Sequence, residues 1–442
     1  VRNLMHKHTL SVRNYRAIHH ADIALNGITV LTGENGCGKS TIGRWLYYIV
    51  NGLEEYDSYV FSAFKREVIE LLPPMDRISS DFGMSYDKRR DFIIYPKIID
   101  SVLYVPETAF EIVHYHVVRF LDSFFTELSS LQEKKGKELV LERIIRSVDL
   151  PDIMGQDLHA FIDKWRTALM EGYAKLEERF KSYMANRPGD VFFDGIRYRY
   201  KEKVSSKQIQ LKEDDIDLLS EEKVLQPYYL KSSLYVNSPL FLDHDDNNRI
   251  WIDLRWKMVK DSEVANVPEV LLDEVKAIMG GSIKEEEDLG ILKLRYVSAD
   301  KEIDIPIEDA ATGLKTFAYL YRLIENGYIT PETILVIDEP EVHLHPKWVV
   351  EFARILVHLH KQVGVKILLA SHDPDMVAAL QSIGEKEELG EKLNFYIAKR
   401  NEENKHQFDF ISTGTDIEPI FDSFNIALDR IEEYGRTNDM DE

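Results

Sequence analysis

The sequence predicts an α/β fold: a mixed, mostly parallel sheet with antiparallel strands on its N-terminal side, split by a large, mostly helical insertion. Three observations lead there. A glycine-rich bend joins an apolar strand to an amphipathic helix within the first 50 residues, the last third alternates apolar strands with helices, and long helical stretches dominate the middle.

The chain has 442 residues, 44% of them apolar, which is enough for two or three domains with real cores. A formal net charge of −22 argues against a protein wrapped in phosphate backbone over its whole surface and leaves room only for a local basic strip. The single cysteine, Cys37, excludes an intrachain disulfide and a Cys-based zinc site, and fits a reducing compartment. The opening "VRNLMHKHTLSVRNY" lacks the apolar core of a signal peptide, and no apolar run approaches the roughly 20 residues that span a bilayer. A soluble, cytoplasmic protein without a membrane partner is expected.

"HTLSVRNYRAIHHADIALNGITVLTG" reads as two or three short strands with a turn at Asn26-Gly27, a favoured hairpin dipeptide. "ITVLTG" is a strand that runs into the glycine bend. Behind the bend, Ile42, Trp45, Leu46 and Ile49 fall on one helical face. "SVLYVPE" (Ser101 to Glu107) is a strand candidate, followed by helical stretches from about Ile112 to Ser147 and Leu158 to Met184. Residues 201–225 are charge-dense and read as a solvated connector or an exposed helix. "YYLKSSLYVNSPLFLDHDDNNRIWIDLRW" offers two strands across a polar turn, in which the Asp/Asn run Phe241 to Asn248 is read as turn chemistry. Strands and helices alternate again from "ILKLRYVSADKEIDIPIED", and Pro331 to Ala370 reads as strand, helix, strand. The domains expected are residues 1–110, one half of an α/β core; 111–225, a helical insertion; and 226–442, the other half.

The bend itself, Gly33-Glu34-Asn35-Gly36-Cys37-Gly38-Lys39-Ser40, fits G-x-x-x-x-G-K-[ST] without mismatch. Its glycines let backbone N–H groups face a phosphate, and the helix N-terminus behind them favours the same anion. Lys39 is expected to bridge the outer phosphates of ATP and Ser40 to ligate Mg²⁺, with Thr41 next in the cradle. Far down the chain, "TILVIDEPEVHLHP" (Thr333 to Pro346) is an apolar strand ending in Asp338 and Glu339. Strand-end carboxylates sit where open α/β sheets bind ligands. Asp338 is the expected second metal-side ligand and Glu339 the expected base for the attacking water. "VKILLASHDPDMV" (Val365 to Val377) ends another strand in Ser371-His372-Asp373, which makes His372 a candidate to reach the γ-phosphate or the water. His343 and His345 stand at i, i+2, a spacing that could serve a metal pair.

The segment "VRNYRAIHHADIALNGITVLTGENGCGKST", with Asn14-Tyr15-Arg16 at its start, resembles the N-terminal strands and phosphate loop of the SMC, RecF and OLD group of ABC-type ATPases. "VIDEPEVHLHP" resembles the Walker B and D-loop segment of OLD-like members, which implies dimer contact rather than a metal pair for His343 and His345, and "LLASHDP" resembles their switch-histidine strand. "EDAATGLKTFAYLYRLIENG" (Glu308 to Gly327) resembles the signature loop, with Thr312-Gly313-Leu314-Lys315 in the place of Ser-Gly-Gly-Gln and Phe317, Leu320, Tyr321 and Ile324 as the apolar helix face behind it. "VLYVPETAF" falls where the group places its Q-loop, with Glu107 in place of a Gln.

The resemblance implies an ABC-type P-loop ATPase head that binds ATP and Mg²⁺ and dimerises on ATP, with Thr312, Gly313 and Lys315 serving the partner's nucleotide in trans. Long-armed members carry coiled-coil arms and a Cys-x-x-Cys hook that these residues do not contain, and the roughly 70 residues after His372 read as two strands and a helix, so no Toprim nuclease domain is expected there. That layout resembles the stand-alone ATPase subunits of the anti-phage systems PARIS and Septu (AriA and PtuA types). It implies a separate effector such as a Toprim or HNH nuclease or a toxin, and a phage trigger protein. The alternative is a RecF/SMC-like DNA-repair ATPase that binds DNA directly; a transporter ATPase is a third class, disfavoured by the signature and the missing Gln.

Overall fold

The computed structural model describes residues 6–73, 86–132, 158–237, 249–262, 268–288, 291–423 and 433–434. By contacts the chain divides into two units, Val1–Glu54 with Phe192–Glu442, and Glu55–Val191.

The first unit is built on a ten-stranded sheet of order β5-β4-β1-β2-β13-β12-β3-β11-β10-β6. Its strands are β1 (His8–Tyr15), β2 (Ile18–Ala24), β3 (Ile28–Thr32), β4 (Ile209–Glu213), β5 (Ile216–Asp217), β6 (Ser232–Asn237), β10 (Thr333–Asp338), β11 (Lys366–Ala370), β12 (Leu393–Arg400) and β13 (Phe408–Gly414). The run β6-β10-β11-β3-β12 is parallel; β13 pairs antiparallel with β12 and parallel with β2, and β2, β1, β4 and β5 follow as an antiparallel group. The central strands β3, β10 and β11 are buried along their whole length, as near-continuous apolar runs covered on both faces must be. The mixed α/β class expected from the sequence is the fold observed.

Helix α1 (Lys39–Glu54) buries Ile42, Trp45, Leu46 and Ile49, the predicted face, and most of its other residues as well. It passes so close to β10 that a Cβ on Gly43 would lie 2.8 Å from Val336 Cγ1. Helix α6 (Gly189–Tyr200) approaches α1 in the same way, with Ile196 and Phe192 against Gly52. Helices α7 (Arg249–Val259), α8 (Glu269–Met279), α9 (Thr312–Glu325), α10 (Pro346–Val363) and α11 (Pro374–Lys386) share one core cluster with β10, β11 and β12. A separate antiparallel sheet, β7 (Gly281–Asp288), β8 (Ile291–Ser298) and β9 (Asp304–Pro306), precedes α9.

The second unit holds α2 (Tyr56–Leu71), α3 (Tyr86–Ser101), α4 (Ala109–Gln132) and α5 (Leu158–Asn186). Aromatic rings fill it: Phe64 stacks on Phe180 at 4.7 Å, and Trp165 meets Phe124 edge-on at 5.1 Å. The buried Lys65 donates from Nζ to the carbonyls of Asp100 and Val102, closing the end of α3.

Several expectations are corrected. The β1–β2 turn lies at Tyr15 to Ile18, with Asn14 and Arg16 at positive φ, while Asn26-Gly27 joins two strands that do not pair with each other. Ser101 ends a helix and residues 102–105 form no strand, because no neighbouring strand offers them a ladder. Within the expected connector 201–225, β4 pairs with β1 along five residues, its alternate side chains buried. "RIWIDLRW" is helix α7: its apolar residues recur at helical as well as alternate spacing, and Leu254 and Met258 face the core. Residues 133–147 of the expected long helix and the run Phe241 to Asn248 lie outside the described residues.

Candidate functional site

Strand β3 delivers the glycine bend to the carboxyl edge of the parallel strands, and the backbone there demands glycine. Gly33, Gly36 and Gly38 have φ of 143°, 80° and 108°. A Cβ on Gly33 would meet Ala398 Cβ at 2.7 Å, and one on Gly38 would meet Ile18 Cγ1 at 2.6 Å. Glu34, Asn35 and Gly36 are exposed at the tip, Ser40 and Thr41 are half-buried, and Cys37 is wholly buried, which pushes its thiol pKa up. Lys39 is buried, and its ammonium is held by the loop's own carbonyls, Gly33 O at 2.8 Å and Glu34 O at 3.2 Å. Phosphate oxygens are a stronger acceptor for the same donor. At the tip, Arg400 at the end of β12 pairs with Glu34 at 2.6 Å.

Two strands over, β10 ends at Asp338. Ser40 Oγ donates to its Oδ1 at 3.0 Å, so the two expected metal-side groups lie side by side. Burial, the largest influence, raises the Asp338 pKa, partly offset by the hydroxyl bonds from Tyr235 and Ser40. Glu339 follows in the left-handed region at φ 49°, its amide bonded to Ala370 O at 2.9 Å. That conformation is sparsely populated for a residue other than glycine.

The strand between them, β11, ends at Ala370 and leads straight into Ser371 and His372. Ser371 N donates to Leu31 O at 3.0 Å, which ties this end to β3. His372 Nδ1 stands 3.7 Å from Glu339 Oε1 and 3.5 Å from Glu341 Oε1. Asp373 caps α11 by accepting from Met376 N at 2.8 Å. Lys39, Ser40, Asp338, Glu339 and His372 are thus gathered at the ends of three strands that are neighbours in the sheet.

Two residues of this cluster escaped the sequence reading. Tyr235 on β6 donates to Asp338 Oδ2 at 2.8 Å, and its position in "SLYVN" gave only strand propensity. Glu341 accepts from Ser371 Oγ and His372 N, and its signal was a third carboxylate within "DEPE" that faces inward.

The signature-like residues lie at the start of α9. Gly313 is buried against the loop after β10: a Cβ there would lie 3.0 Å from Leu344 Cδ2 and 3.3 Å from both His343 O and Trp348 Cε3. Thr312 is half-buried, and Lys315, with only 7% of its surface exposed, faces inward. His343 takes φ 68°, and His345 caps α10 by accepting from Lys347 N on Nδ1 at 3.2 Å. Glu107 is exposed within the second unit. Among the described residues, no three His, Cys, Asp or Glu side chains form a metal-binding group, and no helix is long and apolar enough to cross a membrane.

The family model described as "AAA domain, putative AbiEii toxin, Type IV TA system" matches residues 155–378, just over half of the chain, and one described as "AAA domain" matches residues 9–73. Among curated proteins, the energy-coupling factor transporter ATP-binding protein EcfA3 of Clostridium perfringens is 33% identical over 72 residues, 16% of this chain and 25% of its own. EcfA2 of the same species is 32% identical over 72 residues, with the same coverage. The chain thus spans a quarter of the length of these relatives. Among solved structures, the Smc head domain of Pyrococcus furiosus, with an extended coiled coil and bound to the C-terminal domain of ScpA, aligns over 97% of this chain and 99% of that one at 12% identity and a TM-score of 0.33. The SMC head domain of Thermotoga maritima aligns over 92% and 98% at 9% identity and a TM-score of 0.35.

Proposed function

The chain belongs to the AAA-domain family of the first description, an ATPase family, and on that premise we propose that it is an ABC/SMC-type head that hydrolyses ATP and controls a partner effector, a nuclease or toxin, in bacterial anti-phage defence. The observation that carries the ATPase reading is the convergence of Lys39, Ser40, Asp338, Glu339 and His372 on one edge of the sheet. The toxin and toxin–antitoxin terms in the family description support an effector partner.

In this reading the backbone N–H groups of Gly33 to Thr41 cradle the phosphates, and Lys39 exchanges its loop carbonyls for outer phosphate oxygens. Ser40 and Asp338 would hold Mg²⁺. Their fit rests on an oxygen-only donor pair already in contact at 3.0 Å, which suits a hard cation. The cation supplies charge neutralisation. Glu339 takes the proton of the attacking water, and His372 holds the water or the γ-phosphate from the other side. Thr312, half-buried at the start of α9, completes a second chain's site in an ATP-dependent dimer, while Gly313 and Lys315, expected to reach the partner, are buried in this chain and support that turn from within; a phage component is the trigger, and the compartment is the cytoplasm.

The test is mass photometry of the Glu339→Gln variant with and without Mg-ATP, beside steady-state hydrolysis by the unaltered chain. Removing a general base is expected to lower kcat by roughly 10²–10⁴-fold while ATP remains bound and assembly persists. Co-expression with neighbouring genes is expected to recover a nuclease or toxin. Assembly that ignores ATP removes the trans-site reading, and salt-sensitive DNA binding without an effector replaces the defence reading with the DNA-repair one.

A further inference from the structure

Glu341 is a carboxylate with 7% of its surface exposed, and among the described residues no lysine or arginine pairs with it. Burying an acid without a cation is costly, and burial raises its pKa. Oε2 is buried without a hydrogen-bond partner. Oε1 carries the contacts, accepting from Ser371 Oγ at 2.7 Å and from His372 N at 2.9 Å, and lying 3.5 Å from His372 Nδ1. A small hydroxyl or apolar side chain would pack the space without that penalty, so the carboxylate is retained for what Oε1 holds.

What it holds is the junction between two loops. Glu341 lies between Glu339 and His343, both in the left-handed region at φ 49° and 68°, and its own carbonyl accepts from Leu344 N at 2.8 Å. Backbone held in that region springs back unless its surroundings fix it. Beside the looser approach of Glu339 Oε1 to His372 Nδ1 at 3.7 Å, the hydrogen-bonding side-chain anchor among the described residues from this turn to the end of β11 is the Glu341 carboxylate, and it grips the residue pair that presents His372.

We infer that Glu341 is a positioning residue: through Ser371 and the His372 amide it sets the His372 ring against Glu339. This rests on the ATPase reading above. It acts on the turnover step and leaves nucleotide binding to the Gly33–Thr41 loop.

The experiment is a double-mutant cycle on the full chain, Glu341→Ala and His372→Ala singly and together, with kcat, KM and the affinity for a fluorescent ATP analogue. Glu341→Ala is expected to lower kcat 10- to 100-fold with KM and analogue affinity within about twofold. On the His372→Ala background it is expected to cost less than about twofold, because the histidine it positions is gone. Glu341→Gln keeps the acceptor oxygen and is expected to restore kcat to within about threefold of the unaltered chain. An equal loss on both backgrounds, a rise in KM in place of the fall in kcat, or failure of Gln to rescue overturns the inference. Where Glu341→Ala does not fold, Ser371→Ala removes one donor and is expected to lower kcat about three- to tenfold; unchanged kcat there overturns it. A chain that hydrolyses no ATP at all defeats the ATPase reading instead. Glu341 is then read from the ring ¹⁵N signals of His372, which are expected to move in Glu341→Ala and return in Glu341→Gln; signals that stay put overturn the inference.

Discussion

The Tyr235 hydroxyl donates to Asp338 Oδ2 at 2.8 Å while Ser40 Oγ donates to Oδ1 at 3.0 Å, so the buried carboxylate has a hydroxyl on each oxygen. Tyr235 sits beside Val336 in the β6–β10 register and reaches two residues along to the strand end. Burial first, and then the Asp338 charge, raises the tyrosine pKa far above its ordinary value, so Tyr235 is a donor at any working pH. Tyr235→Phe strips one donor from a buried acid and is expected to cost about 1–3 kcal/mol in urea unfolding. A loss below about 0.5 kcal/mol would mean that water replaces the hydroxyl.

Gly38 is constrained twice, by φ 108° and by Ile18 Cγ1 at 2.6 Å from a would-be Cβ. Gly38→Ala is expected to weaken binding of a fluorescent ATP analogue at least about tenfold, a difference of roughly 1.4 kcal/mol. Adding Ile18→Ala relieves the clash and leaves the dihedral strain, so rescue is expected to be partial; full recovery would show that the dihedral is unimportant.

Gly313 allows α9 to touch the loop after β10. Gly313→Ala puts a methyl group 3.0 Å from Leu344 Cδ2, a flexible end that yields, and an overpacking cost of about 1 kcal/mol is expected in chemical unfolding. Gly313→Val presses on His343 O and Trp348 as well and is expected to cost about 2–3 kcal/mol. Equal effects of the two would place the close approach elsewhere.

Acid weakens the fold through two buried imidazoles. His8 Nε2 donates to Glu213 at 2.9 Å, and His360 Nδ1 donates to Val365 O at 2.8 Å. Burial is the main cause that lowers both pKa values below the ordinary 6.5, with Lys366 acting in the same direction on both and Lys392 on His360. Below about pH 6.5 the unfolded histidines take up protons that the folded ones resist. The unfolded chain then binds more protons, so stability falls as pH drops through that window and is insensitive to these groups above it. Melting temperature is expected to fall between pH 7 and pH 5.5, and less steeply in His360→Gln. An identical slope in that variant would acquit His360.

The parts of this site legible in the sequence are those whose chemistry depends on local spacing. Gly33 to Ser40 announce themselves because three glycines, a lysine and a hydroxyl must fall within eight residues to surround a phosphate. Asp338, Glu339 and His372 were visible because buried parallel strands read as continuous apolar runs whose first polar residues mark the sheet edge. Tyr235 was hidden because its partner lies 103 residues away and nothing local distinguishes it from any strand tyrosine. Strand β4 was missed for the same reason: "IQLKE" is charge-rich, and only pairing with β1 makes it a strand. α7 was misread because "RIWIDLRW" satisfies both periods, and a short segment cannot decide between them.

Strand β3 hydrogen-bonds to residues 367–370 on one side and 393–397 on the other. The chain therefore makes the strand that carries its glycine loop first and the strands that wall it last. At about 5–20 residues per second, a ribosome adds the intervening 330 or so residues over tens of seconds, during which residues 28–32 have no native neighbour in the parallel ladder. Pairing at such separation is slow to close and leaves apolar strand surface exposed to other chains meanwhile. A fragment that stops before residue 366 carries every residue of the motif without the sheet that shapes it.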